Sequence, residues 1–313
     1  MINNPGESAS RTVGPDARIG QTCNAAAELP SFFIIGPPRT GTTWLHEVLK
    51  DHAQLPSSSK ETRFFDKHYH YGISWYRAHY GKRLPGRCIG EVAPTYFASS
   101  VARERIARVA PGAKVVCIFR NPVQRLLSLY RMKRAYGLIP WDLEEAMVRD
   151  PEMQDSSRYA SNLRAWQAAL NPPQVLACLY DELEENPQSF IDTVATFIGI
   201  PAFTLTRSQV AHVSSSDTMT HPRSYLRTRS ATLMADWLKA RRFGNLVTTV
   251  KNSPVRRFLL GGGLPFAELP LEFSRKLYDM FRGEVEQLEV LLHRDLSAWK
   301  SLNSCPEVSS SAT

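Results

Sequence analysis

The stretch from Gly36 to Thr43 carries arginine and hydroxyl side chains where a phosphate group could be bound, and reads Gly-Pro-Pro-Arg-Thr-Gly-Thr-Thr. It follows four apolar residues, Phe32 to Ile35, and precedes apolar residues at helical spacing, a pattern that predicts strand, tight loop and helix. Unpaired N–H groups and the positive end of the helix dipole meet at such a helix N-terminus. We therefore expect this loop to bind an anion.

The side chains of this loop fit that chemistry. Gly41 lets the backbone approach an anion closely, Arg39 offers a charged fork, and three threonines offer hydroxyl donors, namely Thr40, Thr42 and Thr43. The loop keeps the Gly-x-x-x-x-Gly spacing of a nucleotide-binding P-loop, but Thr42 stands where a Walker A loop has its lysine. The loop alone is also compatible with an ordinary glycine-rich strand-to-helix turn.

A second candidate anion site follows the apolar strand Lys114 to Phe119, which ends in Arg120. Asn121 and Pro122 suit the N-cap and first position of a helix. We expect this helix to bury Val123, Leu127 and Tyr130, and Ser128 lies on it. Ligands of open α/β sheets bind at the carboxyl edge of the strands, so Arg120 and Ser128 predict an anion site beside the first. Since the strand ends in arginine and not in a Mg²⁺-binding carboxylate, we expect no metal.

A third unusual segment runs from Lys60 to Asp66, where charged residues stand against two aromatic residues. Phe64 and Phe65 would raise the pKa of Glu61 by desolvation, whereas Lys60 and Arg63 would lower it. The residues alone do not decide which effect is larger. Taken by itself, a surface ion pair explains the segment more simply than catalysis does.

The elements that position these residues alternate between strand and helix. This order predicts a P-loop-containing three-layer α/β/α fold with a mostly parallel central sheet. Segments 204–230 and 249–270 read as loops, and the apolar spacing between Leu277 and Leu292 predicts a final amphipathic helix. We predict strands at 32–35, 88–92, 113–119 and 175–180, and helices after Gly41, at 99–109, after Asn121, at 159–170 and at 187–198.

The composition fits one domain with an anionic ligand. The chain has 313 residues, with 38 Lys and Arg against 30 Asp and Glu, a net charge of +8. We predict a flexible leader at 1–29, a single domain at 30–300 and a disordered tail at 301–313. The sequence shows no basic run or motif typical of nucleic-acid binding, and it gives no oligomeric state.

The five cysteines are scattered and odd in number, which implies neither a disulfide framework nor a metal cluster. The N-terminus lacks the pattern of a signal peptide, and no apolar run reaches the ~20 residues needed to cross a bilayer. A cytoplasmic location is therefore expected.

Taken together, these motifs resemble the sulfotransferases that use 3′-phosphoadenosine 5′-phosphosulfate (PAPS), and the resemblance covers about residues 31–300. The Gly36–Thr43 stretch is similar to the family's 5′-phosphosulfate loop. The stretch from Phe119 to Tyr130 is similar to its 3′-phosphate motif, which implies Arg120 and Ser128 as ligands. The product would be 3′-phosphoadenosine 5′-phosphate (PAP).

The resemblance implies further contacts with the donor. Tyr180 lies in a segment similar to the family's Tyr-Glu-Asp-Leu element and would contact adenine. Arg223, in His-Pro-Arg-Ser, resembles a late segment of bacterial members and is a third phosphate candidate. Trp44 would either stack on adenine or pack inward.

The Lys60 to Phe65 segment resembles the Lys-Glu-x-x-x-Phe element of the heparan-type and bacterial carbohydrate-type branches, whose Glu is taken to be the catalytic base. Thr42 to Leu45 resembles instead the cytosolic small-molecule branch, whose base is a His. We therefore expect Glu61 as base and Arg39 as stabiliser of the leaving phosphate, with three histidines in reserve: His68, His70 and His221.

The acceptor, and whether a hydroxyl or an amine is sulfated, stay open among saccharides, lipids and other small molecules. Two other functions also stay open. A P-loop kinase-like phosphotransferase would bind ATP with Mg²⁺, and the missing Walker lysine and strand-end Asp count against it. A catalytically inactive nucleotide-binding scaffold is the other, and the placement of Glu61 beside two aromatic residues argues mildly against it.

Overall fold

The central sheet has four parallel strands: β1 (Phe32–Ile34), β2 (Gly90–Val92), β3 (Lys114–Phe119) and β4 (Val175–Leu179). Their order across the sheet is β2-β1-β3-β4. The structure, a computed structural model, describes residues 28–57, 59–211, 219–240 and 262–302. The predicted leader and tail therefore lie largely outside the described residues.

Helices connect and cover the strands. They are α1 (Thr42–Leu49), α2 (Gly72–Arg77), α3 (Ser100–Val109), α4 (Pro122–Ala135), α5 (Leu143–Arg149), α6 (Glu152–Asp155), α7 (Tyr159–Ala169), α8 (Tyr180–Glu185), α9 (Pro187–Ile198), α10 (Arg207–Ala211), α11 (Tyr225–Ala240) and a long helix, Leu271–Leu292. One π-helical turn, Phe64–His68, and one 3₁₀ turn, Tyr69–Tyr71, precede α2.

Each face of the sheet has its own hydrophobic core, because successive strand residues point to opposite faces. Phe33 and Val115 contribute to one core, with α3 and α7. Phe32 and Val116 contribute to the other, with α1 and α9. The expected three-layer fold with a mostly parallel sheet is confirmed.

The strand order places the two predicted anion loops side by side. β1 pairs with β2 on one side and with β3 on the other. The chain leaves β1 for the edge strand β2 and then returns past β1 to β3, so the strand order reverses between β1 and β3. That reversal is where open α/β sheets bind ligands, and the loops after β1 and β3 both lie there.

The prediction of a loop over 204–230 is wrong for the described part of that segment. Two helices, α10 and α11, and the strand β5 (Thr220–Pro222) lie within it, and β5 pairs antiparallel with β6 (Gly262–Pro265). The partner of β5 stands some forty residues further along the chain, so local composition could not reveal the pairing. The predicted loop at 249–270 is likewise wrong at β6, and 249–261 lie outside the described residues.

The side chains that α4 buries also differ from the prediction. Asn121 caps the helix through Oδ1, which accepts from the N–H groups of Val123 and Gln124 at 3.0 and 3.3 Å. Leu126 and Leu129 are buried, whereas Leu127 and Tyr130, expected inside, are half-buried. Arg125 is fully buried and fills part of the core, although a prediction based on apolar residues places no arginine there.

The cysteines behave only partly as expected. Cys117 and Cys178 are free and buried as small hydrophobes. Cys88 is disulfide-bonded, which the scattered spacing did not indicate. Over the described residues, no helix combines the length and the apolar character needed to cross a membrane.

Candidate active site

The loop after β1 is shaped by two residues in the left-handed backbone region, Arg39 (φ 77°) and Gly41 (φ 84°). This conformation is uncommon for a residue with a side chain, and such outliers cluster at functional sites. Gly41 is the N-cap of α1, and no side chain caps that helix. The N–H groups of the first helical turn are therefore directed at the loop, as in an anion site.

Gly41 also allows close packing against α8. A Cβ at this position would lie 2.8 Å from Leu183 Cδ2 and 3.3 Å from Tyr180 Cε2. The loop after β1 is thus pressed against the first turn of α8. Tyr180 borders this loop, which fits its predicted place in the donor site.

The threonines of the loop have different environments. Thr40 Oγ1 donates to Pro37 O at 2.8 Å, so this hydroxyl holds the loop together and only the Thr40 N–H is left for phosphate. Thr42, in the Walker lysine position, is buried, whereas Thr43 is exposed. Trp44 is only 8% exposed, and its Nε1 donates to Gln209 O at 2.7 Å. This geometry favours inward packing for Trp44 over stacking on adenine.

The two predicted anion motifs meet in space. Arg39 Nε donates to Ser128 Oγ at 2.9 Å, although the two residues stand 89 positions apart in the chain. Arg120 lies over the ring of Tyr180, with its Cζ 4.7 Å from the ring centroid. Arg120 Nε is buried and finds no hydrogen-bond partner among the described residues, so it is available to an anionic ligand.

Lys60 brings a second cation to the α1 N-terminus. Its Nζ donates to Thr43 Oγ1 at 2.9 Å and lies 3.6 Å from Glu61 Oε1. In a P-loop, the hydroxyl in the position of Thr43 binds Mg²⁺. The Lys60 ammonium contacts that hydroxyl here. Sequence reasoning missed this role, because Lys60 stands 17 residues after Thr43 and no motif spacing links them.

Burial shifts the pKa values of this pair in opposite directions. Desolvation raises the pKa of Glu61, and the nearby charges of Lys60 and Arg63 only partly oppose that shift. Desolvation also lowers the pKa of Lys60, against the opposing effect of Glu61. The question that the residues alone left open is therefore decided in favour of desolvation. A carboxylate with a raised pKa beside an anion site is suited to accept a proton.

The remaining candidates, Arg223 and three histidines, lie in or beside other elements of the fold. Arg223 directly follows β5, which packs on α4, and its side chain is exposed. His221 packs against Phe266 with ring centroids 3.9 Å apart. His68 and His70 belong to the turns before α2 and face Tyr71. Among the described residues, no group of three or more His, Cys, Asp or Glu side chains could hold a metal ion.

Comparison with known proteins gives the family. The model of the sulfotransferase domain matches residues 29–241. The chain belongs to the sulfotransferase domain family. This membership confirms the predicted resemblance to the sulfotransferases, and the matched residues contain both predicted anion motifs.

Curated relatives include two heparan sulfate enzymes. The chain is 30% identical over 208 residues to bifunctional heparan sulfate N-deacetylase/N-sulfotransferase 2 of Bos taurus. It is 31% identical over 205 residues to bifunctional heparan sulfate N-deacetylase/N-sulfotransferase 1 of Mus musculus. Each match covers 58% of this chain and 23% of the relative, so the chain spans about a quarter of the length of these proteins.

A solved structure supports the fold. A sulfotransferase from Alicyclobacillus acidocaldarius superposes with a TM-score of 0.62 at 19% identity, covering 87% of this chain and 99% of that one. At this identity the likeness shows a shared fold, and the site assignments rest on the contacts described above.

Arg120→Ala tests the prediction that Arg120 binds a 3′-phosphate. Removing one charge-assisted hydrogen bond is worth about 1.5–3 kcal/mol, so we expect PAP to bind roughly 10- to 100-fold more weakly by calorimetric titration. Adenosine 5′-phosphosulfate lacks the 3′-phosphate and should bind equally to both proteins. Arg275→Ala, an exposed arginine on the long helix, is the matched control. Unchanged PAP affinity in Arg120→Ala would remove Arg120 from the site.

Proposed function

We propose that this sulfotransferase transfers the sulfuryl group of PAPS to an amine or hydroxyl of a saccharide, with Glu61 as the general base. The observation that carries the proposal is the contact between Arg39 and Ser128, which joins the two anion motifs at the reversal of strand order. A nucleotide with phosphorus groups at both its 5′ and 3′ positions matches two such sites. The saccharide acceptor is inferred from the heparan sulfate relatives and from the surface described below.

The proposed reaction is an in-line displacement at sulfur. The acceptor oxygen or nitrogen forms a bond to sulfur while the bond from sulfur to the 5′-phosphate oxygen breaks, and that oxygen keeps the electron pair. Glu61 takes the acceptor proton. Arg39, Lys60 and the N–H groups of α1 stabilise the charge that develops on the leaving phosphate, so positioning and electrostatics supply most of the rate enhancement.

The acceptor surface that we propose is the aromatic segment that follows Glu61. Tyr71 is 55% exposed, and its ring lies against Trp75 with centroids 5.1 Å apart. Trp75 continues the series to His79, at 4.2 Å. Flat aromatic faces with polar edges suit a sugar ring, which has apolar C–H faces and polar rims. A lipid or aromatic alcohol would use the same apolar area without the polar rims.

Two measurements test the donor and the acceptor separately. Calorimetric titration in EDTA should show PAP binding with ATP much weaker, and Mg²⁺-dependent ATP binding would favour the phosphotransferase instead. Transfer of radiolabelled sulfuryl from PAPS should reach N-desulfated heparan sulfate if the acceptor is an amine. It should reach an N-acetylated, O-desulfated chain if the acceptor is a hydroxyl. Label on neither saccharide, but on a lipid or small molecule from a metabolite extract, would overturn the acceptor class alone.

The pH dependence of kcat/KM follows from the two pKa shifts. Glu61 acts deprotonated and its pKa is raised, so the acid limb should lie above the ordinary Glu value of about 4.3. Lys60 acts protonated and its pKa is lowered, so the alkaline limb should lie below the ordinary Lys value of about 10.4. A plot of kcat/KM against pH should therefore be bell-shaped, with its two limbs closer together than the ordinary pKa values of Glu and Lys would place them. An acid limb at the ordinary Glu value, or one that survives in Glu61→Gln, would contradict the assignment of Glu61.

The location and domain organisation stay predictions. The cytoplasmic setting rests on the scattered cysteines, the missing signal-peptide pattern and the missing long apolar run in the sequence, and an oxidising compartment is the alternative. Fractionation of the expressing cells would decide between the two. We also retain the proposal of a single domain over 30–300.

A further inference from the structure

A buried carboxylate, Glu91 on β2, lies next to the segment that carries the proposed base. Glu91 is 0% exposed. Its Oε1 accepts from Thr62 N at 2.9 Å and from Thr62 Oγ1 at 2.7 Å. Its Oε2 accepts from Tyr76 OH at 2.7 Å, and Tyr96 OH lies 3.3 Å from both oxygens. The carboxylate is therefore held by neutral N–H and O–H donors.

These bonds fix the chain immediately after Glu61. Thr62 contacts Glu91 through both its backbone N–H and its hydroxyl, so its position is set relative to the central sheet. Phe65 N donates to Tyr96 OH at 3.3 Å, which ties the segment to the same cluster three residues later. Tyr76 OH is in turn 2.9 Å from Tyr80 OH. Glu61 is thus one residue away from an anchored point.

Burying a carboxylate costs desolvation free energy, so Glu91 is not explained by stabilisation of the core alone. Desolvation raises the pKa of Glu91, which shows that burial disfavours its charged form. Apolar side chains of similar volume often stabilise a core better than buried charged groups do. Apolar groups, however, cannot form directional hydrogen bonds with Thr62. A catalytic group that must be placed precisely needs such hydrogen bonds around it.

We propose that Glu91 is a positioning residue for sulfuryl transfer, holding Thr62 so that the Glu61 carboxylate faces the acceptor. The inference rests on the proposed function, because it assigns the base to Glu61. A misplacement of about 1 Å in a catalytic group can cost on the order of 100-fold in rate. Glu91 acts through Thr62 and not by contact with the donor or the acceptor.

The test compares Glu91→Leu, Glu91→Gln and Thr62→Val. Glu91→Leu removes both acceptor oxygens and should lower kcat roughly 10- to 100-fold, whereas PAP affinity should stay within about twofold. Glu91→Gln keeps one acceptor oxygen for Thr62 and should recover most of the rate. Thr62→Val keeps the side-chain shape and loses only the hydroxyl, so it should lower kcat about 3- to 10-fold even if Glu91→Leu fails to fold. Glu286→Gln, an exposed glutamate on the long helix, is the control.

A double-mutant cycle separates positioning from general loosening. Rates are measured as transfer of radiolabelled sulfuryl from PAPS to N-desulfated heparan sulfate. If that saccharide is not a substrate, the rate of PAPS hydrolysis, in which water is the acceptor, is measured instead. Added to Glu61→Gln, Thr62→Val should cause no further loss, because the group it positions is gone. Losses that multiply, an unchanged kcat in Thr62→Val, or a parallel loss of PAP affinity would overturn the inference. Full activity of Glu61→Gln by itself would instead refute the proposed base, so the two failures are distinguishable.

Discussion

Glu61→Gln should lower kcat by about 10²- to 10⁴-fold, the range that a general base usually contributes. The substitution keeps the shape of the side chain but cannot accept the acceptor's proton. The raised pKa of Glu61 brings its basicity closer to that needed near neutral pH. The measurement is steady-state transfer of radiolabelled sulfuryl from PAPS, with calorimetric titration of PAP alongside.

PAP affinity is the internal control for this variant. Glu61 Oε1 lies 3.6 Å from Lys60 Nζ. The substitution leaves Arg39, Lys60 and the N–H groups of α1 in place, so we expect PAP to bind Glu61→Gln within about twofold of the wild-type protein. Glu286→Gln should retain full activity. Retention of activity by Glu61→Gln would move the base to one of the histidines, of which His68 and His70 lie nearest in the chain.

Arg39→Met should lower kcat by about 10²- to 10³-fold, the effect of removing one donor aimed at a developing oxyanion, or about 2.7–4 kcal/mol. Methionine keeps the length of the aliphatic stem but loses the guanidinium that lies beside Ser128. The loss should be larger in kcat than in PAP affinity, because the charge on the leaving oxygen grows during the reaction. Single-turnover rates at saturating PAPS measure this step directly.

Arg39→Lys is the matched variant. It restores the charge but not the planar fork, so we expect a rate between those of Arg39→Met and the wild type. Arg275→Met is the control for a lost arginine elsewhere. Equal losses in PAP affinity and in kcat would show that Arg39 contributes only to binding, and an unchanged kcat would leave Lys60 as the principal cation at the leaving oxygen.

Local patterns were sufficient for the parts of the fold that depend on neighbouring residues. The apolar runs of β1 and β3, the Asn121 cap and the spacing of the long helix each predicted the element that forms. Both loops at the reversal of strand order could be placed, because strand ends in parallel sheets share one edge.

Long-range pairings could not be predicted in the same way. No sequence periodicity relates the residues that meet in three features of the structure: the pairing of β5 with β6, the contact of Lys60 with Thr43, and the hydrogen bonds between Thr62 and the buried Glu91. Glu91 was visible only as a polar residue inside a predicted strand. Its value to the site became apparent with the side chains of Thr62, Tyr76 and Tyr96 around it.

Gly41 limits which sequences the loop after β1 can accept. A substitution would have to adopt φ 84° and also displace Leu183, which lies 2.8 Å from where a Cβ would stand. In a library randomised over the whole loop, surviving clones should therefore retain glycine at 41, and any new donor specificity would have to arise around that fixed backbone.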